Sequence, residues 1–217
     1  MKKAIIFDFD GTLVHSFPLI YRCLNETCIK FLNKSFTEEE ILSHYGKDEE
    51  GILMSLLNEK YDKDAFIYFL SLYQKYSPIM MPHLISGIYE LLIYLKKQKI
   101  PLYVLTGRCI ETLNISLKLL NIDNIFLKPY YVGNKYKMNK VFNILSLLND
   151  HNYKNSEVIY VGDSLSDIKA CNEANIDIIS ANYDQTIRTI DLSKYNKIIA
   201  KSTIELQEII KNLFNLN

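Results

Sequence analysis

Small acidic and polar residues follow three separate apolar stretches of the sequence. Asp8 and Asp10 come after the first stretch, Thr106 and Gly107 after the second, and Asp163 after the third. Ligands of an open parallel sheet bind at the carboxyl ends of the strands, so we expect these residues to meet in one crevice. Carboxylates gathered there can exchange protons with a ligand and can bind a hard cation such as Mg²⁺ through their oxygens.

An ordinary turn is the competing interpretation of each of these stretch ends, because Asp and Gly favour turns. For Thr106 and Gly107 taken singly, the turn is the better interpretation. Asp8 is different, because an aspartate that directly follows a buried strand is costly to bury without a partner.

The apolar stretches predict the elements that position these residues. They are short and bounded by turn residues, which is typical of buried strands. Strands are predicted at 3–8, 101–105 and 157–161, with weaker signals at 126–132, 176–180 and 198–199. Apolar residues at helical spacing lie between them, over 84–95, 141–148 and 206–213. This alternation predicts an α/β fold with a parallel sheet covered on both faces.

Residues 15–80 interrupt the alternation, since they carry helical patterns and no clear strand. Helices are predicted at 38–44 and 49–57, separated by a loop at Gly46, and two prolines close the stretch. We interpret it as a helical domain inserted after the first strand.

Composition limits the class of protein. The 217 residues include 48% hydrophobic and 23% charged residues, and 25 basic residues balance 25 acidic ones. A balanced chain of this kind predicts neither a nucleic-acid partner nor binding to an anionic membrane. The sequence has no apolar run long enough to cross a bilayer, and its four cysteines lack metal-type or redox-type spacing. We therefore expect a cytoplasmic protein with reduced thiols.

Four motifs in order resemble those of the haloacid dehalogenase-like (HAD) superfamily. Thr106 resembles the second motif, and a lysine before a helix resembles the third. The first and fourth motifs are similar to Asp8-Phe9-Asp10-Gly11-Thr12-Leu13 and Gly162-Asp163-Ser164-Leu165-Ser166-Asp167. The resemblance implies a Rossmann-like core over 1–14 and 81–217 and an α-helical cap domain over 15–80. The insert resembles the caps of phosphoglycolate phosphatase-like members.

The resemblance also implies roles for the motif residues. Asp8 would attack phosphorus to form an aspartyl-phosphate, and Asp10 would act as general acid and then as general base. Asp8 and Asp163, with the backbone carbonyl of Asp10, would bind Mg²⁺. Thr106 and the neighbouring Gly107 would contact the phosphoryl group.

The site lysine has four candidates, namely Lys128, Lys135, Lys137 and Lys140. Lys128 precedes Pro129, but it lies too early in the chain, at the start of a predicted strand. Lys137 is preferred as the catalytic and substrate-binding lysine, because it opens the helix that precedes strand 157–161. Asp167 could complete the metal site, orient Lys137 or simply satisfy a helix N-terminus.

Two further cations lie near the predicted crevice. Lys47, beside Gly46, is predicted to bind the far end of the substrate, with a solvent-facing lysine as the alternative. Arg108 follows Thr106 closely enough to reach a substrate anion, but we expect it to be an exposed surface residue.

The implied activity is Mg²⁺-dependent hydrolysis of a small phosphorylated metabolite, either a phosphoglycolate-like compound or a sugar phosphate. A phosphomutase of the β-phosphoglucomutase type and a pyrophosphatase remain alternatives. The second aspartate, Asp10, argues against a dehalogenase. We expect a monomer or a homodimer.

Overall fold

The computed structural model describes residues 1–136, 139–183 and 191–216. The strands are β1 (Ala4–Phe7), β2 (Leu102–Val104), β3 (Val158–Gly162), β4 (Asp177–Ala181) and β5 (Ile199–Ala200). The helices before β2 are α1 (Phe17–Leu32), α2 (Glu38–Leu42), α3 (Glu49–Leu57), α4 (Lys63–Met80) and α5 (Ile88–Lys97). Those after β2 are α6 (Ile110–Leu119), α7 (Lys140–Asp150), α8 (Leu165–Ala174) and α9 (Thr203–Phe214). Short 3₁₀ helices occupy Asn58–Lys60, Asn155–Glu157 and Leu192–Lys194.

The strands form one sheet in the order β2-β1-β3-β4-β5, and every neighbouring pair is parallel. The chain runs from β1 to β2 on one side and later places β3 on the other side of β1. The strand order therefore reverses at β1, and the ends of β1 and β3 border a crevice of the kind that binds ligands in open α/β sheets. The predicted α/β fold with a parallel sheet is confirmed.

Both faces of the sheet are covered, as a parallel sheet requires. Alternate residues of β1 point to opposite sides, so Ile5 and Phe7 pack into one apolar cluster and Ala4 and Ile6 into another. The first cluster contains buried residues of α1, α3, α4, α5, α6 and α9. The second cluster contains buried residues of α7 and α8. Burial on both faces explains why the strands read as continuous apolar runs.

The stretch between residues 15 and 80, which the structure describes throughout, forms the helices α1–α4 and no strand. The two helices predicted on either side of Gly46 are observed as α2 and α3. Asp48 begins α3 by accepting a hydrogen bond from Gly51 N at 2.9 Å. The division of the chain into a core of 1–14 and 81–217 and a cap of 15–80 stays a prediction.

One predicted strand was wrong. Residues 126–132 form only a single bridge, in which Tyr131 pairs with Leu105. Pro129 has no N–H to donate to a neighbouring strand, so the pairing cannot extend through it. No helix among the described residues combines the length and apolar character needed to span a bilayer.

Candidate active site

Asp8 and Asp10 lie directly beyond the carboxyl end of β1. Asp8 keeps the strand geometry, because its N–H donates to Val161 O at 2.9 Å. Its carboxylate also accepts a hydrogen bond from Phe9 N at 2.7 Å. Gly11 then takes a φ of +70°, a backbone conformation that costs glycine little, and turns the chain away from the sheet.

Lys140, the first residue of α7, lies against the Asp8 carboxylate. Its Nζ is 3.0 Å from Asp8 Oδ2 and also donates to Asp167 Oδ1. Asn139 caps the helix by accepting from Phe142 N at 2.9 Å, which fixes Lys140 in the first turn. Lys140 was one of the four candidates, whereas the preferred Lys137 lies outside the described residues.

The loop after β3 brings two further carboxylates to the same place. Asp163 follows the strand, and Asp167 is fully buried in the first turn of α8, where it accepts from Ser164 N at 2.9 Å. A side chain at Gly162 would collide with Asp167, whose Cγ would lie 2.8 Å from the added Cβ. The glycine of this motif therefore makes room for the second aspartate.

Asp8, Asp163 and Asp167 form a candidate metal centre. Each offers a carboxylate oxygen, and the three oxygens lie within 4.8 Å of one another. Hard oxygen donors are the ligands that Mg²⁺ prefers, so this donor set fits the predicted cation. The Asp10 carboxylate is turned toward Arg108, which leaves its backbone carbonyl as the atom predicted to contact the metal.

Burial raises the pKa of Asp8 to about 7, and the neighbouring carboxylates of Asp167 and Asp10 add to the rise while Lys140 opposes it. Burial also acts on Lys140, yet the pKa of its ammonium is raised because Asp167 and Asp8 stabilise the charge. One lysine thus faces several acids, and this end of the crevice favours additional positive charge.

Arg108 forms an ion pair with Asp10, and the expectation of an exposed surface arginine was wrong. Its side chain is 1% exposed, and its Nη2 lies 2.7 Å from Asp10 Oδ1. Nε is 3.0 Å from both Asp10 oxygens. Burial opposes the effect, but Arg108 and the Ser16 hydroxyl hold the pKa of Asp10 below its usual value. A buried guanidinium needs an anionic partner, and Asp10 provides it.

The rest of the guanidinium contacts two elements far away in sequence. Nη1 donates to Ser116 Oγ of α6 at 2.9 Å and to the hydroxyl of Tyr73 in α4. The guanidinium carbon lies 4.7 Å from the centre of the Phe9 ring. Arg108 therefore connects the helical stretch 15–80 to the end of β1 through Asp10.

Glu49 makes a second connection between that stretch and the sheet. Its carboxylate accepts from Cys109 N and from Thr112 Oγ1, both at 2.7 Å, at the N-terminus of α6. Burial raises the pKa of Glu49, while these two donors and Arg108 favour its charged form. The contact places the start of α3, and with it Lys47, over the crevice.

A cavity of about 840 Å³ opens above the sheet ends. Asp8, Asp10, Gly107, Asp163 and Lys47 line it, together with Arg108 and Lys140. Among the described residues Thr106 is not part of this lining. It is fully buried, and its Oγ1 accepts from Arg108 N at 3.3 Å. The Lys47 ammonium donates to Ser55 Oγ at 2.6 Å.

The fold and this crevice define an α/β enzyme whose acidic site lies where the strand order reverses. Haloacid dehalogenase-like hydrolases are the family of known proteins that matches the chain, over residues 5–181. The chain belongs to this family and is a hydrolase, as the sequence motifs predicted.

Relatives agree with this assignment. A phosphoglycolate phosphatase of Colwellia psychrerythraea is 28% identical over 204 residues, which cover 84% of this chain and 85% of the relative. The pyrophosphatase PpaX of Bacillus velezensis is 27% identical over 168 residues, or 77% of each chain. The structure of CbbY from Rhodobacter sphaeroides in complex with xylulose-1,5-bisphosphate has the same fold. Its TM-score is 0.78 at 19% identity, over 95% of this chain and 96% of that one.

Proposed function

We propose that the enzyme is a Mg²⁺-dependent phosphatase that hydrolyses a small phosphorylated metabolite through an aspartyl-phosphate on Asp8. The observation that carries this proposal is the setting of the Asp8 carboxylate. It is buried at the base of a cavity, lies 3.0 Å from an ammonium group and clusters with two further carboxylates. A buried anion beside a cation, at a strand end that faces a ligand cavity, suits a carboxylate nucleophile.

In the first step an Asp8 carboxylate oxygen bonds to phosphorus, and the bond from phosphorus to the ester oxygen breaks. Asp10, in the protonated form that its pairing with Arg108 makes the minor one, donates a proton to the departing alkoxide, so the alcohol leaves neutral. Lys140 stabilises the charge on the phosphoryl oxygens. Mg²⁺, held by Asp8, Asp163 and the Asp10 carbonyl, with Asp167 as a further ligand, would supply positive charge against the phosphate dianion.

In the second step Asp10, now ionised, takes a proton from water. The resulting hydroxide bonds to phosphorus, the bond to the Asp8 oxygen breaks, and inorganic phosphate leaves. Arg108 supports this step, because its ion pair favours the ionised form of Asp10 and fixes the direction of the carboxylate. Asp10 therefore changes role between the two steps while Asp8 carries the phosphoryl group.

The helices α1–α4 act in this proposal as a cap that excludes bulk water from the intermediate. Two connections, around residues 14–16 and 80–82, join the cap to the core and serve as its hinge. Lys47, on the cap side of the cavity, donates a hydrogen bond to the part of the substrate remote from phosphorus. The four cysteines are free and buried, which supports the proposed cytoplasmic location. A monomer or a homodimer remains the proposed oligomeric state.

Pyrophosphate is the second candidate substrate, and the relationship to PpaX favours it. A phosphomutase would use the same nucleophile and return the phosphoryl group to a sugar instead of water. The deciding assay incubates the enzyme and Mg²⁺ with phosphomonoesters, pyrophosphate and sugar phosphates. Phosphate release from monoesters supports the proposal. Isomerisation of a sugar phosphate without phosphate release, or release from pyrophosphate alone, contradicts it.

A further inference from the structure

One part of the cavity lining, here called the apolar wall, is formed by four apolar or aromatic side chains. Phe17 and Ile20 of α1, Tyr45 of the loop before α3, and Ile52 of α3 all line it. Phe17 and Tyr45 meet edge to face, with ring centres 6.2 Å apart at an interplanar angle of 61°. Tyr45 is 44% exposed, whereas Phe17, Ile20 and Ile52 are 4–6% exposed, so Tyr45 provides most of the accessible surface of this wall.

The described lining of the cavity contains more acidic than basic side chains. At the sheet end, Lys140 and Arg108 are already paired with Asp8 and Asp10. The other lysines among the described lining residues are Lys47 and Lys169. The acids Glu49 and Glu173 line the cavity with them, so the described lining has no excess of positive charge.

A second anionic group on the substrate would therefore be poorly compensated. Phosphoglycolate carries a carboxylate two atoms beyond the ester oxygen, and pyrophosphate has no organic part at all. Each would bring negative charge toward Glu49 and leave the exposed ring of Tyr45 in contact with water. An uncharged apolar group would instead displace that water and gain contact with the two rings.

We propose that the substrate is a phosphomonoester of an uncharged, ring-bearing alcohol whose ring packs against Phe17, Ile20, Tyr45 and Ile52. This inference rests on the proposed phosphatase function and narrows its substrate class. The cavity is large enough, since about 840 Å³ lies within the range that accepts ligands far bigger than phosphoglycolate. Lys47 then donates to a neutral oxygen of such a substrate.

Binding of non-hydrolysable phosphonates tests the inference without depending on turnover. Calorimetry with Mg²⁺ would compare 3-phenylpropylphosphonate, methylphosphonate and phosphonoacetate, which carry a ring, a small group and a carboxylate. We expect the phenylpropyl compound to bind at least about tenfold more tightly than either of the others. Tighter binding of phosphonoacetate, or no binding of any compound, would overturn the inference.

Two tyrosine variants test whether the phenyl ring of the bound phosphonate contacts Tyr45. Tyr45→Ala should weaken the phenylpropyl compound about tenfold and leave methylphosphonate within about twofold. Tyr89→Ala is the matched control, because Tyr89 is 46% exposed on α5 and lies outside the cavity lining. Equal weakening of both phosphonates by Tyr45→Ala would refute the assignment of the wall. An enzyme that kept the predicted binding order but hydrolysed no phosphomonoester would support the inference on the cavity and refute the phosphatase function.

Discussion

Removal of the Arg108 guanidinium should destabilise the protein strongly. Arg108→Ala deletes a side chain that is 1% exposed and leaves Asp10 without its ion-pair partner. Breaking a buried ion pair costs about 3–5 kcal/mol, because the remaining charge stays desolvated. The Asp10 side chain is 34% exposed and keeps its contact with Ser16, so water can relieve part of the penalty.

We therefore expect a loss of about 3 kcal/mol in the free energy of unfolding, at the lower end of that range. Tyr73 and Ser116 lose a partner too, but their hydroxyls remain 2.8 Å apart and can still pair with each other. For a chain of this size, 3 kcal/mol corresponds to a fall in Tm of roughly 6–12 °C. Urea unfolding followed by circular dichroism measures the change in free energy directly.

Arg22→Ala provides the matched control for Arg108→Ala. Arg22 also forms an ion pair, with Nε 2.8 Å from Glu26 Oε1, but its side chain is 47% exposed. Exposed ion pairs contribute little to stability, and the contact of Arg22 with the Tyr76 ring is also at the surface, so this variant should unfold almost as the unmodified protein does. A double-mutant cycle with Asp10→Asn should give a coupling energy of about 2 kcal/mol for the Arg108 pair. Additive effects, or a loss below about 1 kcal/mol in Arg108→Ala, would refute the claim that the ion pair stabilises the fold.

Four further results are expected. Asp8→Asn should reduce phosphate release by at least about a thousandfold, because an amide cannot form the acyl-phosphate; wild-type turnover would exclude Asp8 as nucleophile. Removal of divalent metal with EDTA should abolish activity, and added Mg²⁺ should restore it, whereas full activity in metal-free enzyme would contradict the metal site. Lys47→Ala should raise KM for the true substrate and leave hydrolysis of p-nitrophenyl phosphate nearly unchanged; equal losses on both would rule out a contact with the remote part of the substrate. Burial raises the pKa of Cys23 and of Cys28 to about 12. These thiols should therefore react with a disulfide reagent at pH 8 only after the protein unfolds. Rapid reaction of the folded protein would show that the thiols are accessible.

The sheet and its acidic ends could be predicted because the relevant signals are local. Each strand is a short apolar run, and Asp8 and Asp163 follow their strands immediately. Parallel pairing of β1 with β3 then brings these two aspartates together without further information. The same reasoning failed at 126–132, where the apolar and aromatic content favours a strand but Pro129 prevents its extension.

A helix-capping signal in the sequence favours Lys140 as the site lysine, and the preference for Lys137 did not take this signal into account. Asn139 stands immediately before the apolar periodicity of α7, and asparagine is a favoured N-cap residue. An N-cap at 139 puts Lys140 at the first helical position, at the end of α7 that faces the crevice. If the start of the helix is predicted from this cap and not from the preceding lysine, the residue selected is Lys140, which contacts Asp8.

Arg108 and Glu49 had no comparable signal, because their partners are distant in the sequence. Arg108 pairs with a residue 98 positions away, and Glu49 contacts Cys109 across 60 positions. An isolated arginine or glutamate is usually exposed, so composition and spacing favour the wrong environment for both. Only the packing of α3 and α6 against the end of β1 reveals that these charges are buried and paired.

The two aspartates beyond β1 are separated by one residue, yet the fold gives them opposite electrostatic environments. Burial and neighbouring acids raise the pKa of Asp8 to about 7, whereas Arg108 lowers the pKa of Asp10. Each aspartate has its own cation from a different element, Lys140 from the start of α7 and Arg108 from the loop after β2. Asp8 gains from extra positive charge, so it suits the metal and the phosphoryl group, while Asp10 is held ionised by Arg108 and suits the acceptance of a proton from water. The separation of roles that the proposed mechanism needs therefore follows from which cation each carboxylate meets.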